Sequence, residues 1–361
     1  MLEIGKFLKV YTILYYFWLL LVLIFSTNKK LKNNKKLINF FMLLMLIYFY
    51  FSILGFDYFS YYNIFYIVKA SDKYELLKND MEPIFYYIIY FFRKYNFLHN
   101  IFFLFIKGVP LLINYYLIRK ESNKKMLALY FLFSSNFFAS YCDALRQNIA
   151  SSFLLLGIYL SLKKEILNKF LGKFCYIIAF FNHYSSLFLF FILLIKNKLR
   201  KIHFKQYIGL ILINIFVSYL FYLILISLKV ENYNNTIFKK IMYYLLDEKI
   251  MRSEKKLIEQ IFYKLLVFGR ISIAIFINMI LLKNKKLFKE FKEVILYIGT
   301  SCTLVSSLFI FLNVIFTTRF NLNFCYGFYL LIPDLNKEEK YLCLALYLLN
   351  DILYLAYYLV V

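Results

Sequence analysis

Residues that interrupt helices are scarce in this chain. Its 361 residues include 9 glycines and 3 prolines, whereas 63% of them are hydrophobic, and the mean hydropathy is +0.66. So little Gly and Pro in so apolar a chain is typical of a series of long apolar helices. The sequence therefore predicts an all-α, polytopic integral membrane protein.

Acidic residues are few, and the cysteines form no recognisable motif. Only 20 Asp and Glu stand against 44 Lys and Arg, which gives a formal charge of +24. In a soluble protein this excess would raise the question of a nucleic-acid partner. Here the basic residues form short clusters between apolar runs, so they indicate topology and contact with membrane lipid, and we expect no nucleic-acid partner. The five cysteines have no CxxC or Cys/His spacing, so we expect no disulfide framework, no metal site and no cofactor.

The apolar runs give the predicted membrane spans. A helix of about 20 residues crosses a bilayer, and about twelve runs approach that length within a single transmembrane domain covering 1–361. The run EPIFYYIIYFF (82–92) is too short to cross, so we predict a half-length or re-entrant helix there. The predicted spans are 7–26, 37–56, 97–118, 126–141, 144–162, 168–182, 184–196, 207–228, 260–282, 292–316, 319–333 and 341–360.

The basic clusters predict how these spans are oriented. Connections rich in Lys and Arg face the cytoplasm in most membrane proteins, and an even number of crossings separates each cluster from the next. Both termini are then outside, and 57–81 and 229–259 form outer-face loops. The loop 229–259 carries several lysines against the rule, which long loops obey weakly. The clusters lie at 29–36, 119–125, 163–169, 196–205 and 283–293.

Ionisable residues from five separate segments fall on the predicted outer side. Such groups are costly at the edge of the hydrocarbon and are usually paired or used on a substrate. Their origin in separate segments predicts a cavity that opens outward. They are Asp57, Glu82, Asp143, Arg146, His183 and Arg319.

Two arginines in this set fit a phosphate-bearing substrate. The planar guanidinium binds phosphate oxygens bidentately and keeps its charge. Arg146 follows Asp143 by three residues, on the same helical face, so the acid is a candidate orienting partner. The alternative is that Arg146 is an anchor that snorkels to the interface, although basic anchors are depleted on the outer side.

The histidine and the glutamate each have two interpretations. His183 is a candidate for proton transfer near neutral pH, or an interfacial histidine that bonds Asn182, Ser185 or Ser186. Glu82 is a candidate base, but an acid before Pro83 is also typical of a helix start.

Five stretches, taken in order, resemble the EpsG family of bacterial exopolysaccharide polymerases, which is related to the Wzy-type O-antigen polymerases. The stretches are DYFSYYNIFY, EPIFYYIIYFF, RQNIASSFLLLGIYLSL, FFNHYSSLFLFFILL and TTRFNLNFCYGFYLLIP. Ile84 departs from the family pattern, in which a glycine often follows Glu-Pro. The matching residues are Asp57, Tyr61, Tyr62, Glu82, Pro83, Phe85, Arg146, Gln147, Ala150, His183, Ser185, Arg319, Phe320 and Tyr326.

The resemblance implies a polymerase at the outer face of the bacterial inner membrane. It would join oligosaccharide repeat units carried on undecaprenyl pyrophosphate, transferring the growing glycan to a sugar hydroxyl of the next unit. Its pathway partners would be a flippase and a chain-length regulator. The implied base is His183, then Asp57, then Glu82, and the implied substrate-binding residues are Arg146, Arg319, Asp143, Gln147, Tyr61 and Tyr326.

Two other functions remain open at this point. A lipid-linked oligosaccharide flippase or other transporter would also have many spans and cationic cavity residues, but it predicts two related halves. No internal repeat is evident. A membrane acyltransferase that modifies polysaccharide would use a catalytic histidine and leave the second arginine unexplained.

Overall fold

The computed structural model describes residues 2–51, 56–67, 82–134, 144–183, 186, 201–227, 257–308 and 327–360. Within these ranges every regular element is a helix, as the composition predicts. Two short 3-10 turns, Lys285–Leu287 and Ile332–Asp334, join neighbouring helices. The helices are α1 (Leu2–Thr27), α2 (Lys35–Phe51), α3 (Phe56–Ile67), α4 (Pro83–Lys94), α5 (His99–Glu121), α6 (Lys125–Phe133), α7 (Leu145–Ser161), α8 (Ile166–Asn182), α9 (Phe204–Ser227), α10 (Leu257–Lys283), α11 (Glu290–Leu308), α12 (Phe328–Leu331) and α13 (Lys337–Val360).

Three of the described helices are long and apolar enough to cross a bilayer. They contain the segments Val10–Thr27, His99–Glu121 and Phe204–Phe221. Large apolar side chains remain exposed along the first and third of these, including Phe17 and Phe216, each about 60% exposed. An apolar surface of this extent is typical of helices that contact lipid, so the fold indicates a membrane protein. The predicted number of about twelve spans stays a prediction.

The connections that carry the basic clusters meet at one end of the helix bundle, which we call the basic end. Lys32 accepts a backbone hydrogen bond from Met126, and Lys124 donates to the carbonyl of Pro333. Lys285 donates to the carbonyl of Ile202. One cavity of about 250 Å³ at this end is lined by Glu121, Tyr159, Leu162, Lys163, Lys289, Glu290 and Phe291. All five predicted basic connections therefore contribute to the same end, as the even number of crossings requires.

The end of α3 and the starts of α5 and α7 lie opposite the basic end. We call this region the site end. Helix α3 runs antiparallel to α5, because Tyr58 stacks on Phe103 while Tyr66 donates to or accepts from His99 Nδ1 at 3.0 Å. Helix α7 runs parallel to α5. Asn114 Nδ2 donates to Ser152 Oγ at 3.1 Å, and further along both helices the rings of Tyr116 and Tyr159 are 5.9 Å apart.

Two glycines bring α7 and α8 into close antiparallel contact. A Cβ atom on Gly157 would lie 3.0 Å from the Gly172 carbonyl oxygen, and one on Gly172 would lie 2.9 Å from the Gly157 carbonyl oxygen. Backbone oxygens do not move aside as the tip of a flexible side chain does, so any larger residue separates the helices. The close approach fixes the start of α7 against the end of α8.

We expect Gly172→Val to lower the thermal unfolding midpoint of the purified protein in detergent. Overpacking a tight contact costs about 1–3 kcal/mol. The matched control is Gly209→Val in α9, where a Cβ would meet no atom within 4 Å. The valine itself has the same helix propensity in both variants, so equal midpoints would contradict the proposed close packing.

Candidate functional site

Three parts of the chain form the site: Glu82, which immediately precedes α4, the first turn of α7, and His183, which immediately follows α8. Helix α4 begins at Pro83, whose fixed φ suits the first helical position, and Glu82 is its N-cap in extended conformation. The Glu82 side chain makes no capping bond to its own helix. Its carboxylate is therefore directed at other elements, and the predicted helix start at Glu82-Pro83 is confirmed.

The Glu82 carboxylate bridges a guanidinium and an imidazole. Its Oε2 atom accepts a hydrogen bond from Arg146 Nη1 in an ion pair. Its Oε1 atom lies 2.6 Å from Nδ1 of His183. Glu82 is only 5% exposed, and a buried carboxylate requires compensation of this kind. The two neighbours account for both carboxylate oxygens.

The electrostatics of this trio keep Glu82 ionised. Burial opposes ionisation, but the hydrogen bond from His183 and the positive charge of Arg146 outweigh burial, so the pKa of Glu82 is lowered from its usual value. A carboxylate with a lowered pKa and both oxygens occupied is a poor proton acceptor at neutral pH. Its geometry is instead that of a group that orients the imidazole.

A tyrosine holds the guanidinium from a second side. Arg146 Nε donates to the Tyr61 hydroxyl at 2.7 Å, and Arg146 Cζ lies 5.8 Å from the centre of the Tyr61 ring. Within the described residues Nη2 of Arg146 makes no hydrogen bond, and the side chain retains 29% exposure. Two of the three guanidinium nitrogens are thus held by described partners, which fix the orientation of the group.

Gln147 forms a hydrogen bond with the other ring nitrogen of His183. Gln147 Nε2 and His183 Nε2 are 2.7 Å apart. The carboxylate at Nδ1 requires a proton on that nitrogen, so in the neutral imidazole Nε2 is the acceptor and the Gln147 amide is the donor. This is the tautomer that a base acting through Nε2 needs.

Three buried oxygen atoms, on Gln147 and on two residues within three positions of His183, make no hydrogen bond within the described part of the chain. They are Oε1 of Gln147, Oδ1 of Asn182 and Oγ of Ser186. Buried polar atoms in folded proteins nearly always have a partner, from the protein, from water or from a ligand. The surroundings of His183 therefore have hydrogen-bonding capacity for hydroxyl or amide groups.

The site lies close to the start of α5. Arg146 bonds Tyr61, and Tyr61 lies in α3 between Tyr58, which stacks on Phe103, and Tyr66, which contacts His99. The guanidinium is held by Glu82 and Tyr61 within the protein, whereas a snorkelling anchor reaches the interface.

An aromatic and aliphatic cluster surrounds this charged group. Tyr61 packs on Phe85 with ring centres 5.0 Å apart, and Leu145 and Ile149 of α7 belong to the same buried cluster. Because apolar side chains exclude water, the ion pair between Glu82 and Arg146 is stronger here than on a surface. The whole cluster consists of Tyr58, Tyr61, Phe65, Phe85, Tyr86, Ile89, Phe92, Phe102, Phe103, Ile106, Leu145 and Ile149.

One buried cation near the site escaped the sequence analysis. Lys107 in α5 is fully buried, and its ammonium lies 5.8 Å from the ring centres of Phe49, Tyr58 and Phe103. Aromatic faces attract a cation in this position. The signal that could have revealed it is a lysine inside the predicted span 97–118, because charges inside spans are rare.

The structure brings together five of the residues that the sequence marked: Tyr61, Glu82, Arg146, Gln147 and His183. Asp57 lies one turn before Tyr61 on α3, and its side chain is not among those described. Asp143, Arg319 and Tyr326 lie outside the described residues, as do most of the predicted loops 57–81 and 229–259 and most of the predicted span 184–196. Within the described residues no group of His, Cys, Asp and Glu has the arrangement of a metal site.

The comparisons with known proteins give one match. No curated protein and no solved structure matches the chain. A family model described as the EpsG family matches residues 41–361, which include every residue of the site. On this match, and with all five described site residues falling within it, the chain belongs to the EpsG family.

Proposed function

We propose that this protein polymerises lipid-linked oligosaccharide repeat units at the outer face of the bacterial inner membrane. The family indicates a polymerase-like role in polysaccharide biosynthesis. The observation that carries the finer proposal is the continuous chain Tyr61, Arg146, Glu82, His183 and Gln147. It places a fixed cation and an oriented imidazole on one buried carboxylate, as a transfer from a phosphate leaving group to a hydroxyl requires.

The proposed reaction transfers a glycan from undecaprenyl pyrophosphate to a sugar hydroxyl. The acceptor oxygen forms a bond to the anomeric carbon, the bond from that carbon to the pyrophosphate oxygen breaks, and the pyrophosphate leaves with the bonding electrons. His183 takes the hydroxyl proton at Nε2, and Glu82 stabilises the resulting imidazolium through Nδ1. This division of roles resembles that of the histidine and the acid in a catalytic triad.

Gln147 has a specific place in this scheme. Its amide occupies Nε2 of His183, so the acceptor hydroxyl must replace it before the proton moves. After the transfer Nε2 carries a proton, and the amide can turn to accept it through Oε1, the atom that has no partner in the described structure. We propose Gln147 as the residue that holds the neutral base until the acceptor binds.

Arg146 is the proposed contact for the leaving pyrophosphate. Its Nη2 atom makes no hydrogen bond within the described residues and its side chain is 29% exposed, so developing negative charge on the pyrophosphate would be stabilised there without reorganisation. Arg319 is the proposed second cation, on the resemblance in sequence. Asp57 and Tyr326 remain proposed substrate contacts on the same ground, and Asp143 a proposed neighbour of Arg146.

We expect Arg146→Ala to abolish long polymer. Removing one preorganised donor to a developing oxyanion lowers turnover by about 10²–10³-fold, and here it also leaves the buried Glu82 carboxylate without its ion pair. The measurement is polymer length in a deletion strain that carries the variant, with the amount of protein in the membrane as a check. Arg119→Ala, an exposed arginine at the basic end of α5, is the matched control. Full-length polymer from Arg146→Ala would refute the pyrophosphate role.

We expect Glu82→Gln and His183→Gln to act as one unit. If Glu82 works by orienting and charging His183, each single variant should lower the polymerisation rate by about 10²–10⁴-fold, and the double variant should be little worse than either. The measurement is the rate with purified protein and lipid-linked repeat units. Glu338→Gln, an exposed acid at the basic end, is the control. Independent effects that multiply in the double variant would show that the two residues do not act together.

The deletion strain also separates the proposed polymerase from a flippase. Loss of polymerisation leaves single lipid-linked repeat units at the outer face, where added glycosidases or lectins reach them. Loss of a flippase traps those units on the cytoplasmic side. The site favours the polymerase because the described ionisable cluster lies at one end of the bundle and contains a hydrogen-bonded imidazole. Trapped units would overturn the proposal.

A further inference from the structure

Three lysines meet at the basic end, about a full helix length from the candidate site. Lys32 lies between α1 and α2, Lys124 is the N-cap of α6, and Lys340 lies in the first turn of α13. All three are half-buried. The connections that carry Lys32 and Lys124 are joined by the bond from the Met126 amide to the Lys32 carbonyl at 3.1 Å.

Two of the ammonium groups lie on the same short segment. Lys124 Nζ donates to the carbonyl of Pro333 at 2.9 Å, and Lys340 Nζ donates to the carbonyl of Leu335 at 3.5 Å. One residue, Asp334, separates these carbonyls in the chain, so the two charges are held close together. Like charges in such proximity repel and normally require an anion between them.

Two acids close in sequence to these lysines are paired with other cations. Asp334 pairs with Lys292, and Glu339 pairs with Lys283 while accepting a bond from Asn284. Glu338, in the first turn of α13, is exposed. No acid among the described residues forms an ion pair with Lys32, Lys124 or Lys340, so these ammonium groups are not directly neutralised by the described protein.

Two helix ends add to this positive charge. Helices α6 and α13 both begin at this cluster, and the N-terminus of a helix carries a partial positive charge that favours anions. Helix α6 has no acidic residue in its first turn, whereas α13 has Glu338 and Glu339 there. Lys124 at the start of α6 is therefore electrostatically opposed unless an anion is bound nearby.

The pKa of Lys340 is consistent with the proximity of these positive charges. Burial, together with the neighbouring Lys124 and Lys32, lowers the pKa of Lys340 to about 8. An anion bound between the ammonium groups would oppose this lowering. The same geometry without an anion leaves a lysine that is partly neutral near pH 8.

We propose that Lys32, Lys124 and Lys340 bind a phosphate-bearing anion between the N-termini of α6 and α13. On the predicted orientation the cluster faces the inner leaflet, whose anionic headgroups are concentrated next to basic clusters of this kind. The site is separate from the candidate polymerase site and does not depend on the proposed reaction. It would be occupied by the phosphate of an anionic phospholipid or by phosphate from solution, and the experiment distinguishes these sources.

The test uses the purified full chain in detergent. Its thermal unfolding midpoint is measured during titration with phosphatidylglycerol, with phosphatidylcholine or with inorganic phosphate, because a ligand that binds the folded state raises the midpoint. The variants are Lys124→Gln and Lys340→Gln, which keep an N–H donor for the carbonyls of Pro333 and Leu335. The controls are Lys125→Gln and Lys337→Gln, neighbouring lysines outside the cluster.

We expect phosphatidylglycerol to raise the midpoint with an apparent affinity about tenfold weaker in each cluster variant and within about twofold of the original in the controls. Phosphatidylcholine should have little effect, since its headgroup carries no net charge. The same tenfold dependence with inorganic phosphate alone would support the anion site and assign its ligand to solution. Equal responses of cluster and control variants to both anions would overturn the proposal. If Lys340→Gln does not accumulate, Lys340→Arg, which keeps the charge, should bind like the original protein.

Discussion

The buried Glu82 carboxylate is the interaction on which the rest of the site depends. It is nearly inaccessible to water, and its charge is stabilised by a guanidinium on one oxygen and an imidazole on the other. Removing one partner from a buried ion pair typically costs about 3–5 kcal/mol, because the remaining charge is left without compensation. Three chain segments are therefore tied together at one point by the requirement that this carboxylate remain satisfied.

The helices around the carboxylate are arranged so that this contact is geometrically fixed. Two facing glycines let α7 and α8 approach closely, which sets Gln147 against His183. The hydrogen bond between Asn114 and Ser152 fixes the register of α5 and α7, which sets the position of Arg146 along α5. Interior packing transmits such constraints because it is dense. The precision of the charged cluster therefore depends on helix–helix contacts that lie one to three turns away from it.

Charge divides the molecule into two ends with different chemistry. Among the described residues at the site end, Arg146 and Lys107 are paired or stacked with specific partners. At the basic end, residues of every predicted cytoplasmic connection converge, and two of the described acids there, Asp334 and Glu339, already have cationic partners. A cluster with excess positive charge favours anions, so the two ends are suited to different ligands. The residues that resemble the EpsG family pattern lie at the site end, and the proposed phosphate site lies at the basic end.

The sequence by itself determined the helical class, the positions of most described helices, the grouping of basic connections at one end and five residues that the structure brings together in the candidate site, because hydrophobic runs, charge clusters and Glu-Pro are local signals. It could not decide the pairing. Asp143, three residues before Arg146, stays a predicted orienting partner outside the described residues, while the described partner, which the sequence did not pair with Arg146, is Glu82, 64 residues earlier in the chain. It also ranked Glu82 among the bases, although two neighbours from distant helices lower its pKa. Both outcomes depend on which helices pack together, and that is decided by tertiary contacts such as the glycine crossing of α7 and α8, which have no counterpart in local sequence pattern.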